Sequence, residues 1–377
     1  MTTIRLIISF IKSINHWRLR KFRSIREWVL INWYFFKYLK KNQHEAKAED
    51  IASCDSIALV MFRLGIRDTI VMSGLIHNLR KAGKKVYCIC NKRTAFIYQS
   101  MLETDGLYII PEKPNRSDLV NLNLSVDVMV FLQDPDKNTR FHIMMLTAIQ
   151  YKHAVGYNQK EVRFFNLNII RDEKGCHCSE RMIDFAKRLG ITIDNYEYSL
   201  TFQKECLDEV DSLLSKINNH QFVVFNPIAS DKFRSLSPEV VKQTLLWLTN
   251  NCELTVIAYN IFDNDIIKDF PNVIFNPFKQ IDRSIALLAK SSFLITVDTS
   301  FIHAGRLFRV PMIGIYNNRL ANNKYDNNVL WGPNYKEATQ VFSIDHLNTE
   351  SGDDLRRLPF SELEKALMAS NILNNKS

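Results

Sequence analysis

Short apolar, β-branched runs alternate with longer stretches of helical periodicity twice along this chain, and that doubled alternation constrains the fold more than any other feature. In the first round Ser56–Phe62 reads as a strand, Asp68–Ala82 as a helix, Lys85–Asn91 as a strand, Thr94–Leu102 as a helix and Asp127–Leu132 as a strand. Helices near Thr139–Tyr151 and Ser179–Leu189 complete that half. After a polar stretch around Asp194–Lys204 the alternation restarts with a helix over 205–217, strand Phe222–Asn226, helix Pro238–Asn250 and strand Glu253–Tyr259. Helix Ile281–Ala289, strand Phe293–Val297, helix Ser300–Leu307 and strand Pro311–Tyr316 follow, and Phe360–Leu373 reads as a closing amphipathic helix. Strands separated by helices pair in parallel and are covered on both faces. The expectation is an α/β protein of two Rossmann-like domains with parallel sheets facing a central cleft. Its parts would be a basic segment (1–50), a first domain (51–203), a second domain (204–345) and a C-terminal helix (346–377).

A chain of 377 residues, 46% of them hydrophobic, can build two cores. Its net charge of +9 is unevenly placed. Residues 1–41 hold ten Lys/Arg, from Arg5 to Lys41, and one acid, Glu27, so this segment carries the whole excess and the body is neutral. That distribution argues against nucleic-acid binding by the folded body. Between the basic residues stand Phe10, Trp17, Phe22, Trp28, Trp33, Tyr34, Phe35, Phe36 and Tyr38. The uncharged run Trp28–Phe36 is interrupted at Glu27 and Lys37 and is far short of the roughly 20 residues that span a bilayer. A helix lying in the headgroup layer of an anionic membrane suits this composition. Seven cysteines in no even framework fit a reducing cytosol, and Cys176-His177-Cys178 has no second pair at zinc spacing.

Open α/β sheets bind ligands beyond the C-terminal ends of their strands. Three loops hold the informative residues. The first, Arg63-Leu64-Gly65-Ile66-Arg67-Asp68-Thr69, places a carboxylate at a helix start, where it stays ionised and suits a general base; Arg63 and Arg67 flank it and suit an anionic substrate. The second, Asn226-Pro227-Ile228-Ala229-Ser230-Asp231-Lys232-Phe233, offers the Lys232 charge and the Ser230 hydroxyl to a diphosphate, without the spacing of a P-loop. The third, Val297-Asp298-Thr299-Ser300-Phe301-Ile302-His303-Ala304-Gly305, ends a strand at a helix N-terminus, which is a natural phosphate site and equally a natural place for an Asp cap. A carboxylate facing a lysine and a helix N-terminus suits group transfer from a leaving diphosphate. Asp134-Pro135-Asp136 offers an alternative, a metal-held diphosphate.

These loops resemble glycosyltransferase family 9, the lipopolysaccharide heptosyltransferases, in order and separation over residues 55–320. The counterparts are Leu64-Gly65-Ile66-Arg67-Asp68, Asn226-Pro227-Ile228-Ala229-Ser230-Asp231-Lys232 and Val297-Asp298-Thr299-Ser300-Phe301-Ile302-His303-Ala304. The resemblance implies a GT-B fold and inverting transfer of a sugar, typically heptose from ADP-heptose, onto the lipopolysaccharide core without a metal. It implies that Asp68 deprotonates the acceptor and that Lys232, Asp298 and Thr299 manage the donor, with Ser230, Ser300 and His303 beside them and Arg63 and Arg67 on the acceptor side. It places the enzyme in the cytoplasm, peripherally on the inner face of the bacterial inner membrane. Arg67, Ile228 and Ser300 stand where the family has glycine, so a hexose or N-acetylhexosamine donor, or a non-catalytic sugar-nucleotide-binding scaffold, are the alternative expectations.

Overall fold

The computed structural model describes residues 46–133, 139–158, 165–217, 221–252, 254–259, 269–370 and 372, and, of the N-terminal segment, 18, 21, 22, 25, 26, 28–30, 32, 33, 36 and 37. Most of the basic segment and Asp134-Pro135-Asp136 lie outside the described residues.

Fourteen strands are present among the described residues: β1 Ser56–Val60, β2 Lys85–Asn91, β3 Gly106–Ile110, β4 Ser125–Phe131, β5 Gln150–Tyr157, β6 Leu167–Ile169, β7 Phe222–Asn226, β8 Thr255–Ala258, β9 Val273–Phe275, β10 Phe293–Val297, β11 Met312–Tyr316, β12 Leu320–Ala321, β13 Tyr325–Asp326 and β14 Ala338–Phe342. They form two six-stranded sheets, ordered β3-β2-β1-β4-β5-β6 and β9-β8-β7-β10-β11-β14, plus a two-stranded antiparallel ribbon of β12 and β13. Counted within its own sheet each large sheet has the order 3-2-1-4-5-6, the doubly wound arrangement of dinucleotide-binding folds, with its strand order reversing beside its first strand. The expected α/β, GT-B-like class with two parallel sheets is the one found.

By packing, the chain divides into two compact units, one of the residues up to Val60 with Ile110–Arg171, the other of Met61–Ile109 with Asp172 onward. In the first unit β1, β4, β5 and β6 run parallel, with Ile57 opposite Val128, Met129 opposite Ala154 and Val155 opposite Leu167. The start of β1 is fixed by the Asp127 carboxylate on β4. It accepts from the Asp55 and Ser56 amides and the Ser56 hydroxyl at 2.8–3.1 Å, and pairs with Lys152 at 2.6 Å. The Lys152 contact and these amides hold the Asp127 carboxyl well below the usual carboxylate range.

In the second unit β7 is flanked by β8 and β10, and β10 by β11, in parallel register. β7, β10 and β11 are buried along their whole length, as strands covered on both faces must be. One face packs on Val241, Leu245 and Leu248 of the helix Pro238–Asn251, which Ser237 caps and Pro238 begins. The closing helix Phe360–Ala369 contributes Leu363 and Leu367 to the same core.

Seven strands escape the sequence pattern: β3, β5, β6, β9, β14 and the two-residue strands β12 and β13. The helix expected over Thr139–Tyr151 stops at Ala148, and β5 begins at Gln150. The outer end of β5, Gln150 to His153, is polar and half exposed, so no apolar run announces it; pairing with β4 supplies its order. The edge strands β6 and β9 have three residues each, too few to display a period.

Candidate functional site

The two loops at the reversal point of the second sheet, after β7 and β10, meet the first turn of the helix Ile66–Lys81 around a pocket of about 710 Å3. Arg67, Asp68 and Arg93 line it from one side, and Ser230, Arg234, Asp298, Thr299, Ser300 and Arg319 from the other. Its volume is that of a small-molecule site.

Asp68 is the third residue of its helix, and its Oδ2 accepts the Gly65 amide at 3.1 Å. That bond fixes the carboxylate and leaves Oδ1 uncommitted among the described residues. A Cβ on Gly65 would stand 3.2 Å from Oδ2, tight enough to displace it, which explains glycine at this position. Arg67 turns its guanidinium over the Trp331 ring, 4.0 Å from the centroid. Arg63 instead takes a left-handed φ of 60°, is exposed, stacks 5.0 Å from the Phe62 ring and does not line the pocket.

Asp298 is 1% exposed at the end of β10. A buried carboxylate is costly unless paired, and three donors meet this one. Its Oδ2 accepts from Arg319 Nε at 3.1 Å and Asn327 Nδ2 at 3.0 Å, and lies 3.5 Å from Arg234 Nη1. Arg234 also donates to the Asp298 carbonyl at 2.9 Å and the Ser230 hydroxyl at 3.0 Å. Burial pushes the Arg319 guanidinium below its ordinary value, opposed by the Asp298 charge. Thr299 caps the helix Ser300–Leu307, its hydroxyl accepting the Phe301 amide at 3.2 Å, and Asn226 Nδ2 donates to the Thr299 and Thr296 hydroxyls at 3.0 Å. The Oδ1 atoms of Asp298 and Asn226 are buried with no partner among the described residues.

Lys232 and His303 do not join this group. Lys232 starts a 3-10 turn, is exposed and sits with Nζ 5.3 Å from the Phe233 ring; the turn brings Arg234, not Lys232, onto Asp298. His303 is fully buried beneath the pocket, its Nδ1 3.4 Å from the Tyr198 hydroxyl and its ring near those of His177, Tyr198 and Trp331. Burial, then the charges of His177, Arg67 and Arg306, push its imidazole below the ordinary histidine range, so it is neutral. His177 bonds Ser179 at 2.8 Å, and among the described residues no cluster of three His, Cys, Asp or Glu is placed to hold a metal ion.

Sequence reasoning missed Arg93, Arg234, Arg319 and Trp331. Arg319 follows a strand, β11, and the strand-end rule applied to that loop would have found it. The same rule applied after β2 would have found Arg93, and nothing local marks Trp331.

No family model matches the sequence. A curated protein of Escherichia coli strain K12, "Putative lipopolysaccharide heptosyltransferase 4", is 22% identical over 335 residues, spanning 84% of this chain and 90% of its own length. Among solved structures, a glycosyltransferase family 9 protein from Veillonella parvula is similar with a TM-score of 0.67 at 16% identity, over 85% of this chain and 98% of that one. The E. coli ADP-heptose lipopolysaccharide heptosyltransferase II is similar with a TM-score of 0.64 at 12% identity, over 85% of this chain and all of that one. The resemblance to glycosyltransferase family 9 is borne out at the level of the chain: the curated relative is named as a putative lipopolysaccharide heptosyltransferase, the structural neighbours as a family 9 glycosyl transferase and a heptosyltransferase, and the neighbours share the fold.

Proposed function

We propose, on the premise that this chain is a family 9-like glycosyltransferase, that it moves a sugar from a nucleotide-diphosphate donor onto a lipopolysaccharide core acceptor, with heptose from ADP-heptose as the first donor to test. The curated relative and the solved heptosyltransferase II support the reaction class. The observation that carries the reading is the pocket itself, which sets the Asp68 carboxylate opposite a capped helix N-terminus, Ser230, Arg234 and Arg319.

In this reading Oδ1 of Asp68 takes the proton of the acceptor hydroxyl as its oxygen attacks the anomeric carbon. The bond from that carbon to the diphosphate breaks on the opposite face, which inverts the centre. The departing diphosphate's charge is received by Arg234, Arg319, the Ser230 and Ser300 hydroxyls and the positive end of the Ser300–Leu307 helix. Asp298 orients both guanidinium groups. No metal ion is needed. In this reading residues 51–203 serve the acceptor and residues 204–345 the donor, and the basic aromatic segment holds the enzyme on the cytoplasmic face of the inner membrane.

The test is turnover of ADP-heptose with a heptose-deficient lipopolysaccharide acceptor in the presence of EDTA. Asp68→Ala is expected to lower kcat by about 100-fold or more, with ADP affinity within about twofold of the unaltered protein. Nucleotide binding without turnover across a panel of donors would replace the enzyme with a sugar-nucleotide-binding scaffold.

A further inference from the structure

The β12–β13 ribbon is flanked by two residues that hold one carboxylate. Arg319, which precedes it, and Asn327, which follows it, both donate to Asp298 Oδ2, from Nε at 3.1 Å and from Nδ2 at 3.0 Å. Between them Leu320 pairs with Asp326 and Ala321 with Tyr325, and the Asn327 main-chain amide donates to the Arg319 carbonyl at 3.2 Å, so the two ends are clamped together. Gly352 lies so close against Arg319 that a Cβ there would stand 2.8 Å from the Arg319 Cβ. Asn327 is 2% exposed at the start of the short helix Asn327–Leu330, and its Oδ1 is buried with no partner among the described residues. A leucine would fill that space without orphaning an acceptor, so what the asparagine supplies is the donor to Asp298.

The two arginines on Asp298 use their donors differently. Arg234 is anchored on the Asp298 main-chain carbonyl through Nη1 at 2.9 Å and on the Ser230 hydroxyl through Nη2 at 3.0 Å, with the carboxylate 3.5 Å away. Arg319 meets the carboxylate through Nε alone, and its two Nη groups have no partner among the described residues. The Arg319 side chain lines the pocket and is 23% exposed. The charges of Arg67 and Arg234 also reach Arg319, and three guanidinium groups against the carboxylates of Asp68 and Asp298 leave the cluster positive. We infer that Asn327 is a positioning residue: sharing Oδ2 with Arg319, it fixes the carboxylate so that Arg319 engages it by Nε and keeps both Nη groups for a diphosphate in the pocket. The identity of that anion rests on the transferase reading; the coupling of Asn327 to Arg319 does not. Without the amide the carboxylate can rotate into a two-pronged pair with the guanidinium, which occupies the Nη edge a diphosphate needs. Arg234 escapes this dependence because its closer bond is to the main chain, which no side-chain rotation moves.

Inorganic pyrophosphate, the group common to nucleotide-diphosphate donors, is the probe, titrated into the full-length protein by calorimetry at low ionic strength. Arg319→Ala and Asn327→Leu are each expected to weaken it about tenfold or more. The double variant should bind within about twofold of Arg319→Ala alone, because Asn327 acts through the guanidinium that is already gone. Asn327→Ala removes the donor together with the bulk and should match Asn327→Leu, which restores the bulk alone. Full affinity in Asn327→Leu with a loss in Asn327→Ala would make the residue a packing element and overturn the inference. Losses that multiply in the double variant would overturn it too, as would failure of the unaltered protein to bind pyrophosphate. Coupled losses in a protein that turns over no sugar nucleotide leave the inference standing and remove the transferase reading. Turnover of ADP-heptose with losses that multiply keeps the transferase and removes the positioning role.

Discussion

Asp298 shows how one buried residue organises a candidate site without capping the helix that follows it, a role that falls to Thr299. Its carboxylate is almost wholly buried, and Arg319, Asn327 and Arg234 are drawn in to hold it. The same contacts aim two guanidinium groups at the helix N-terminus, so the pairing that makes the buried charge tolerable also builds the cationic wall of the pocket. Arg234→Ala is expected to weaken ADP about tenfold or more, because it removes a charged donor and frees the Ser230 hydroxyl. Lys232→Ala should cost less, since Lys232 lies outside the pocket lining. Calorimetric titration of both variants with ADP checks the order. A larger loss from Lys232→Ala would restore the lysine as the diphosphate's main partner. Sequence located Asp298, Thr299 and Ser300 because a strand running into a helix cap is a local pattern. It named Lys232 over Arg234 because both follow the same strand, and only the folded path of the loop brings Arg234 onto Asp298.

At the scale of elements, strands buried on both faces were legible and edge strands were not. Phe222–Asn226 and Phe293–Val297 are found at their expected limits, as is the helix Ser300–Leu307, because full burial demands a continuous apolar run. β14 is half exposed, and its residues Ala338 to Phe342 show no such run; register with β11 makes it a strand. The helix Thr139–Ala148 carries a liability of its own. His142 is completely buried beside Phe131, 4.8 Å between ring centroids, with both ring nitrogens unpartnered among the described residues. Burial pushes its imidazole down to about 3. The unfolded chain takes up a proton near pH 6.5 that the folded chain refuses, so this group contributes nothing above that pH. Below it, stability falls with pH by up to about 1.4 kcal/mol per unit until the folded value is reached. His142→Phe is expected to flatten the loss between pH 6.5 and 4.5 in denaturant unfolding. An unchanged slope would show that His142 is solvated.

For the whole molecule, charge is as informative as topology. The net excess of +9 sits in residues 1–41, and the described part of that segment exposes Phe22, Ile25, Val29, Trp33 and Phe36 at helical spacing, with Trp28 beside them. Among the described residues no helix is long and apolar enough to cross a membrane. Co-flotation with vesicles containing anionic lipid is therefore expected to require residues 1–41 and to weaken with salt, at about 1 kcal/mol per basic residue at the surface. Unchanged flotation after deletion would remove the segment from membrane attachment. The sequence by itself determined the doubled α/β class, the three strand-end loops and the placement of charge, because burial period, helix caps and composition are properties of neighbouring residues. Tertiary structure alone decided the strand order that puts the loops after β7 and β10 side by side at a reversal point, and the meeting of Asp68 with Arg234 and Arg319. It also set Trp331 behind Arg67, residues 264 positions apart in the chain. Such contacts join side chains whose local sequences hold no trace of each other, and only packing brings them within reach.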